Sequence, residues 1–300
     1  MSIKQLGYVR LGVQNVTEWA AFAQDVLGFN VGEISGDVAF LRMDEAPFRY
    51  IVEKNERDYF IAAGYELADK VAFDAQVATL EAAHVVVTHG TADGAAQRAV
   101  QEYASCNDPS GNLVEFYHSR GVGGAVSLNA GVSGFKTDPM GLGHLVLPAA
   151  ENIPTEKFYT ELFGFGISDD LSLPAFAEGM PEQRILFMHA DNPRHHTLGL
   201  YNFPNPVGLI HLMAELNSID EVGACMDRVK QAGLHIFASL GRHANDGMVS
   251  FYFVAPGGFV FEIGYDGKQF DDWSKFTPTK STVGDLWGHE YDVPDMGDMA

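Results

Sequence analysis

The chain has 300 residues, enough at about 150 per domain for two domains that each bury a core. Apolar residues make up 46% and charged ones 20%, which excludes a disordered or fibrous chain. With 19 Lys and Arg against 40 Asp and Glu the net charge is −21, a surface that repels phosphate backbones and anionic lipid heads, so nucleic acid and membrane are poor partners. No run of about 18 apolar residues occurs, and the opening MSIKQLGYVRL lacks the apolar stretch and cleavage site of a signal peptide, so a soluble, cytoplasmic protein is expected. Cys106 and Cys225 lie far apart and read as buried free thiols. Of 11 histidines only His84, His89 and His118 precede residue 140, which places any chemistry in the second half.

In chain order, a short apolar strand begins near residue 5, in Leu6-Gly-Tyr-Val-Arg-Leu11. A helix follows, marked by Trp19, Phe22, Val26 and Leu27 on one face and ended by Gly28. A second unit begins near residue 62, with Val71, Val77 and Leu80 marking its helix and Asp108-Pro-Ser-Gly-Asn-Leu-Val-Glu115 turning into a strand. Residues 121–139, with five glycines and little periodicity, read as an interdomain linker. The pattern then recurs. Leu142-Gly-His-Leu-Val-Leu147 echoes residues 6–11 at an offset of 136, and Phe163-Gly-Phe165 echoes Leu27-Gly-Phe29 at the same offset. Phe158, Tyr159, Leu162 and Phe163 mark the third helix. A fourth unit begins near residue 208, and its helix runs from the capping-box spacing Ser218-Ile-Asp-Glu221 to Gly233. Ala255-Pro-Gly-Gly-Phe-Val-Phe-Glu262 echoes residues 108–115 at an offset of 147, so loops differ in length between the copies. The tail from Glu290, with Asp292, Asp295 and Asp298, reads as a mobile solvated end. The fold expected is α+β, four tandem βαβββ modules in two domains, residues 1–120 and 140–300.

Alternate side chains of a strand face opposite ways, so a polar residue inside an apolar strand either meets solvent or needs a buried partner. His144 within residues 142–147, His211 within Leu209-Ile-His-Leu-Met213 and Glu262 within residues 259–263 pose that question. Two imidazoles and one carboxylate converging from strands suit non-haem Fe(II) and leave coordination positions open. Taken singly, a histidine reads better as a buried residue bonded to backbone, and Glu262 equally well as a solvent-facing edge residue. The repeat favours convergence, because the first-half counterparts read as Tyr8, Tyr65 and Glu115, a degenerate copy. A second group in or beside loops, His195, His196, His243, Asn245, Asp246 and Tyr252, offers acid–base chemistry near neutral pH. Adjacent strand residues point opposite ways, so one of His195 and His196 enters the cavity and the other packs or faces the surface. Spacing does not choose between them.

Six segments in this order carry a resemblance: Gly141-Leu-Gly-His144, Arg194-His-His-Thr-Leu198, His211-Leu-Met-Ala-Glu215, Leu240-Gly-Arg-His-Ala-Asn-Asp246, Ser250-Phe-Tyr252 and Glu262. The chain resembles the type I extradiol, ring-cleaving catechol dioxygenases of the vicinal-oxygen-chelate superfamily, from Leu6-Gly-Tyr8 to Trp287-Gly-His289. The resemblance implies a glyoxalase-like fold and Fe(II) held by His144, His211 and Glu262. It assigns His196 as the active-site acid–base residue and gives His195 no such role. It implies that His243 and Tyr252 hydrogen-bond the catechol oxygens and the iron site, that Asn245 and Asp246 line the substrate pocket, and that Val146 and Phe187 touch the catechol ring. It further implies a small-molecule catechol and O2 as partners, and a homo-oligomer. Residues 170–184 align with no motif.

Val146, Phe187 and Phe203-Pro204 together suggest a dry pocket longer than one ring, hence a bicyclic or larger catechol such as 2,3-dihydroxybiphenyl. The alternatives are 1,2-dihydroxynaphthalene, a steroid catechol or a monocyclic alkylcatechol. A metal-dependent isomerase of the same superfamily has no evident joint use for His196, His243 and Tyr252, and a non-catalytic binding protein would need no metal triad. An α-keto-acid-dependent ring hydroxylase shares the two-His, one-Glu set but not these loop residues.

Overall fold

Near-continuous burial distinguishes the strands that open each repeat from ordinary half-wet strands, because both of their faces are covered. The computed structural model describes residues 3–175 and 177–292. The expected residues Asp295 and Asp298 lie outside this range. The first sheet contains β1 (Gln5–Val13), β2 (Asn30–Ser35), β3 (Val38–Arg42), β4 (Tyr50–Lys54), β5 (Tyr59–Leu67), β6 (Thr88–His89), β7 (Val100–Asn107) and β8 (Leu113–Arg120). They are hydrogen-bonded in the order β2-β3-β4-β1-β5-β8-β7-β6. The second sheet contains β9 (His144–Pro148), β10 (Gly166–Leu173), β11 (Gln183–His189), β12 (Leu198–Tyr201), β13 (His211–Glu215), β14 (Ile236–His243), β15 (Val249–Val254), β16 (Val260–Tyr265), β17 (Thr279–Ser281) and β18 (Asp285–Trp287). Its order is β17-β10-β11-β12-β9-β13-β16-β15-β14-β18, so the eight-strand order of the first sheet recurs in the second, with β17 and β18 added at the edges. Residues 121–139 join the two without helix or ladder, apart from one bridge between Phe135 and Leu216.

Four helices fall where periodicity places them: α1 (Val16–Phe22), α2 (Lys70–Ala82), α4 (Asn152–Lys157) and α5 (Ile219–Gln231), with a short α3 (Ala92–Gln97) before β7. One π turn extends α1 through Ala23–Leu27, and another extends α4 through Phe158–Leu162. Ser218 caps α5 by accepting from the Glu221 amide, as the capping box requires. On α2 the expected face is corrected. Val71 is 77% exposed, and Phe73, Gln76, Val77 and Leu80 are the buried residues, because a stripe at i, i+3, i+4 and i+7 starts at Phe73.

The helices pack on the sheets of their own halves and also reach across to the other half. Trp19 of α1 is buried with its ring 5.7 Å from Phe259 and 5.9 Å from Phe261, and its indole nitrogen donates to the Pro256 carbonyl. Reciprocally, Phe163 and Phe165 meet Phe116 and Tyr65 of the first sheet. One apolar cluster therefore runs through both halves, where the sequence suggested two separate cores. Both cysteines are buried free thiols, as expected. Of the tail, residues 290–292 are exposed as expected but not loose, and the rest lies outside the described residues. Glu290 and Asp292 are tied to β14 by backbone hydrogen bonds with Ser239 and Phe237. Among the described residues no helix is long and apolar enough to cross a membrane.

Candidate metal centre

Register decides which side chains share a face. His144 of β9 pairs with Met213 of β13, Met213 with Glu262 of β16, and Glu262 with Tyr252 of β15. One row over, His211 pairs with Val146, Val146 with Gly199 of β12, and Gly199 with Phe187 of β11. Residues two apart face the same way, so both rows present one continuous surface carrying His144, His211, Glu262, Tyr252, Val146 and Phe187. Gly199 sits between two apolar neighbours, and a Cβ there would lie 2.7 Å from Val146 Cγ2. Gly143, at φ +144°, is required by close approach: its Cβ would lie 1.9 Å from the Met213 carbonyl oxygen.

Three ligand-type atoms converge there. His144 Nε2 and His211 Nε2 are 3.1 Å apart, and Glu262 Oε2 stands 3.2 Å from the first and 3.5 Å from the second. Mutually cis donors about 2.1 Å from one octahedral ion stand about 3.0 Å apart, so these spacings fit a single small cation. Glu262 Oε2 is buried and receives no hydrogen bond from the chain. Burial pushes the Glu262 carboxyl up, but His144, His211 and His243 around it hold it well below the usual carboxylate range. Burial drives His144 down to about 4 despite Glu262, so its imidazole is neutral and offers a lone pair.

The donors around this trio are arranged in two groups. His243 Nε2 lies 2.7 Å from the Tyr252 hydroxyl and 3.2 Å from Glu262 Oε1. Burial pushes His243 down, yet Asp285 and Glu262 outweigh it and raise it to about 10. The Tyr252 hydroxyl is held well above its ordinary value by burial and by Glu262. On the other side the His196 ring lies 4.0 Å from that of His144 and 4.7 Å from that of Phe187. Burial, reinforced by His144 and His195, holds His196 well below its usual value, so it is a neutral base. The strand argument for His195 and His196 is corrected. Neither lies in a strand, both are 3% exposed, and their Nδ1 atoms are 3.0 Å apart. Asp246 is buried with Oδ2 3.9 Å from His196 Nδ1, while Asn245 turns its side chain back to accept from the Asp246 amide.

Two other groups have metal-ligand composition, His195 with His196 and Asp246, and His243 with Asp285 and His289. Their geometry is already satisfied. Asp285 Oδ1 accepts from both imidazoles at 2.8 and 2.7 Å, and Asp246 Oδ1 accepts from the Met248 amide. Only the Glu262 group leaves a buried oxygen without a donor.

The first-half copy is built differently. Tyr8 pairs with Gly64 and Gly64 with Glu115, which makes Ala62, not Tyr65, the counterpart of His211. Tyr65 faces the other way and packs on Phe165. Glu115 is saturated: it accepts from Tyr8, from Arg10, and twice from Arg98, at 2.6 to 2.7 Å. Two guanidinium charges stand where a cation would.

Residues 141–263 match the Glyoxalase/Bleomycin resistance protein/Dioxygenase superfamily, and residues 6–54 match Dihydroxybiphenyl dioxygenase BphC D1. The chain is 36% identical over 297 residues to the iron-dependent extradiol dioxygenase of Rhodococcus jostii (strain RHA1), covering 98% of this chain and 99% of that one. The chain belongs to the extradiol dioxygenases. This extradiol dioxygenase is also 34% identical to the biphenyl-2,3-diol 1,2-dioxygenase of Paraburkholderia xenovorans (strain LB400), over 97% of this chain and 96% of the relative. The crystal structure of BphC, a halotolerant catechol dioxygenase, superposes with a TM-score of 0.88 at 32% identity, over 97% of this chain and 95% of that one. The glyoxalase-like fold and the family expected from the motifs agree with these findings.

Sequence reasoning missed Asp285 and His289, which reach the site from the C-terminal segment. It also missed the buried ion pair of Arg194 with Glu215, 2.6 Å long, which ties the segment before His195 to the end of β13. Of the segment that matched no motif, residues 170–173 end β10 and residues 183–184 begin β11, and Arg184 makes a bidentate pair with Asp170.

Buried neutral histidines make a pH prediction. Burial lowers both His189 and His195 to about 4, and His189 stacks on Trp273 with ring centroids 3.5 Å apart. Unfolding lets each take up a proton below about pH 6.5, so their contribution is fully present above that value and is lost as pH falls towards about 4. Thermal melts of metal-free protein should therefore show a Tm that falls from about pH 6.5 to about pH 5. His189→Phe should flatten the fall.

Proposed function

We propose that residues 140–300 form the catalytic half, in which His144, His211 and Glu262 hold Fe(II), and that the enzyme opens the ring of a bicyclic or larger catechol beside its two hydroxyls, incorporating both atoms of O2. The observation that carries the metal assignment is the buried Glu262 Oε2, 3.2 and 3.5 Å from two imidazole nitrogens and without a hydrogen-bond donor. Iron bound there supplies Lewis-acid activation of the catechol and the electron transfer that lets O2 react with the ring.

The protein's own side chains supply the rest. Val146 and Phe187 flank Gly199, and the missing side chain between them leaves a flat apolar strip for a planar ring. On one edge, Tyr252 and His243 form a hydrogen-bonded pair beside Glu262, placed to hold an oxygen that has lost its proton. On the opposite side His196 is buried and neutral, so it can take the proton of the second hydroxyl and return it when the ring opens. Its Nδ1 is occupied by His195, which leaves Nε2 for that transfer. Asp246 stands behind this imidazole. The relative from Paraburkholderia xenovorans is named for biphenyl-2,3-diol, which supports a two-ring substrate here.

Iron content after anaerobic dialysis tests the ligand assignment. His211→Ala and Glu262→Ala should lose most of their iron, whereas Tyr8→Phe should keep the wild-type amount, because Glu115 is served by arginines. Stoichiometric iron in His211→Ala would overturn the assignment. Substrate ranking tests the pocket separately. kcat/KM should be higher for 2,3-dihydroxybiphenyl or 1,2-dihydroxynaphthalene than for catechol, since a buried ring gains roughly 25 cal/mol per Å². It should be lowest for protocatechuate, whose carboxylate would lose hydration against apolar walls. A preference for catechol or protocatechuate would mean a short or polar pocket.

A further inference from the structure

His243 depends on a part of the chain that the repeat does not contain. After the last module the chain returns along the sheet edge, where β18 pairs with β14 and sets Asp285 opposite His243. Asp285 Oδ1 accepts from His243 Nδ1 at 2.8 Å and from His289 Nδ1 at 2.7 Å. The remaining nitrogen of His243, Nε2, is thereby turned to the Tyr252 hydroxyl and Glu262. His289 is buried, its ring 4.3 Å from that of His243, and its Nε2 lies 3.0 Å from the Ser250 carbonyl.

The backbone is specialised to make this crossing. His289 holds φ +50°, a conformation that non-glycine residues adopt only when their surroundings enforce it. Gly288 has φ +74°, and a Cβ on it would lie 2.2 Å from the Leu240 carbonyl oxygen. A Cβ on Gly241 would lie 2.5 Å from His289 Cγ. Beyond the turn, the Glu290 carbonyl accepts from the Ser239 amide and the Asp292 amide donates to Phe237.

We propose that residues 284–292 form a strap whose function is to orient His243, with Asp285 as the positioning residue and His289 as its brace. The proposal rests on the reading of His243 as a group that hydrogen-bonds the catechol oxygen. A carboxylate on Nδ1 fixes the ring plane, so Nε2 is the atom offered to Tyr252 and substrate. Without it the imidazole can rotate, and the paired hydroxyl loses its partner.

A double-mutant cycle in the iron-loaded enzyme tests this, using Asp285→Ala, His243→Ala and the pair. Asp285→Ala should keep its iron, shift Tm little, and bind the catechol anaerobically within about 3-fold of wild type, while kcat falls about 10- to 100-fold. Asp285→Glu should recover part of the loss. In the His243→Ala background the same Asp285→Ala change should cost no further kcat, because Asp285 acts through that imidazole. An equal loss in both backgrounds would show a merely structural role and overturn the proposal, as would an unchanged kcat in Asp285→Ala alone. If Asp285→Ala does not fold, Asp285→Asn takes its place, with the same two outcomes. Unchanged kcat in His243→Ala would overturn the underlying reading of His243, and the strap proposal with it.

Discussion

Glu262 Oε2 is buried between the Nε2 atoms of His144 and His211, with no hydrogen bond from the chain, and a carboxylate in that state costs several kcal/mol unless a cation compensates it. The equivalent Glu115 shows the other solution. There, Arg10, Arg98 and Tyr8 saturate both oxygens, and the carboxylate is held below its usual range even though burial alone would raise it. The two halves thus share one frame and differ in how a single buried negative charge is neutralised. In the first half the compensating charge is covalently part of the chain, so no metal is needed. In the second half imidazoles stand where the first half has guanidinium groups, and the proposed ion would supply the compensating charge.

Everything around the trio serves that arrangement. Gly143 lets β9 lie against β13 closely enough for His144 to meet Glu262, and register then places Tyr252 beside it. Gly199 opens the neighbouring strip where Val146 and Phe187 stand. Because α1 packs Trp19 and Phe22 against Phe253, Phe259 and Phe261, the degenerate half braces the strands that carry Tyr252 and Glu262. That packing gives the first half a structural role in the site of the second.

How much of this could be read from residues alone follows from how local each signal is. Helices, the paired glycine ends and the strand histidines were legible, since periodicity and a polar residue in an apolar strand are short-range signals. Tyr65 was misplaced because counterparts were matched by local motif, whereas register follows hydrogen bonds, and β1 shifts register between Leu6 and Tyr8. The shared core was invisible because it depends on which helix meets which sheet. Asp285 and His289 carried no chemical role in the sequence, although the resemblance runs as far as Trp287-Gly-His289, because they become part of the site only through pairing with a distant strand. Reading His195 and His196 as strand neighbours failed for a related reason, since the chain bends there and buries both.

Among the described residues, three groups of two histidines and one carboxylate lie in the second half, and the proposed iron site is one of them. Crystals of the anaerobically purified, iron-loaded protein, measured at the iron absorption edge, locate the metal directly through its anomalous scattering. The account predicts one strong peak per chain, between His144, His211 and Glu262, and none near Tyr8 and Glu115. A principal peak at His195, His196 and Asp246, or at His243, Asp285 and His289, would contradict it.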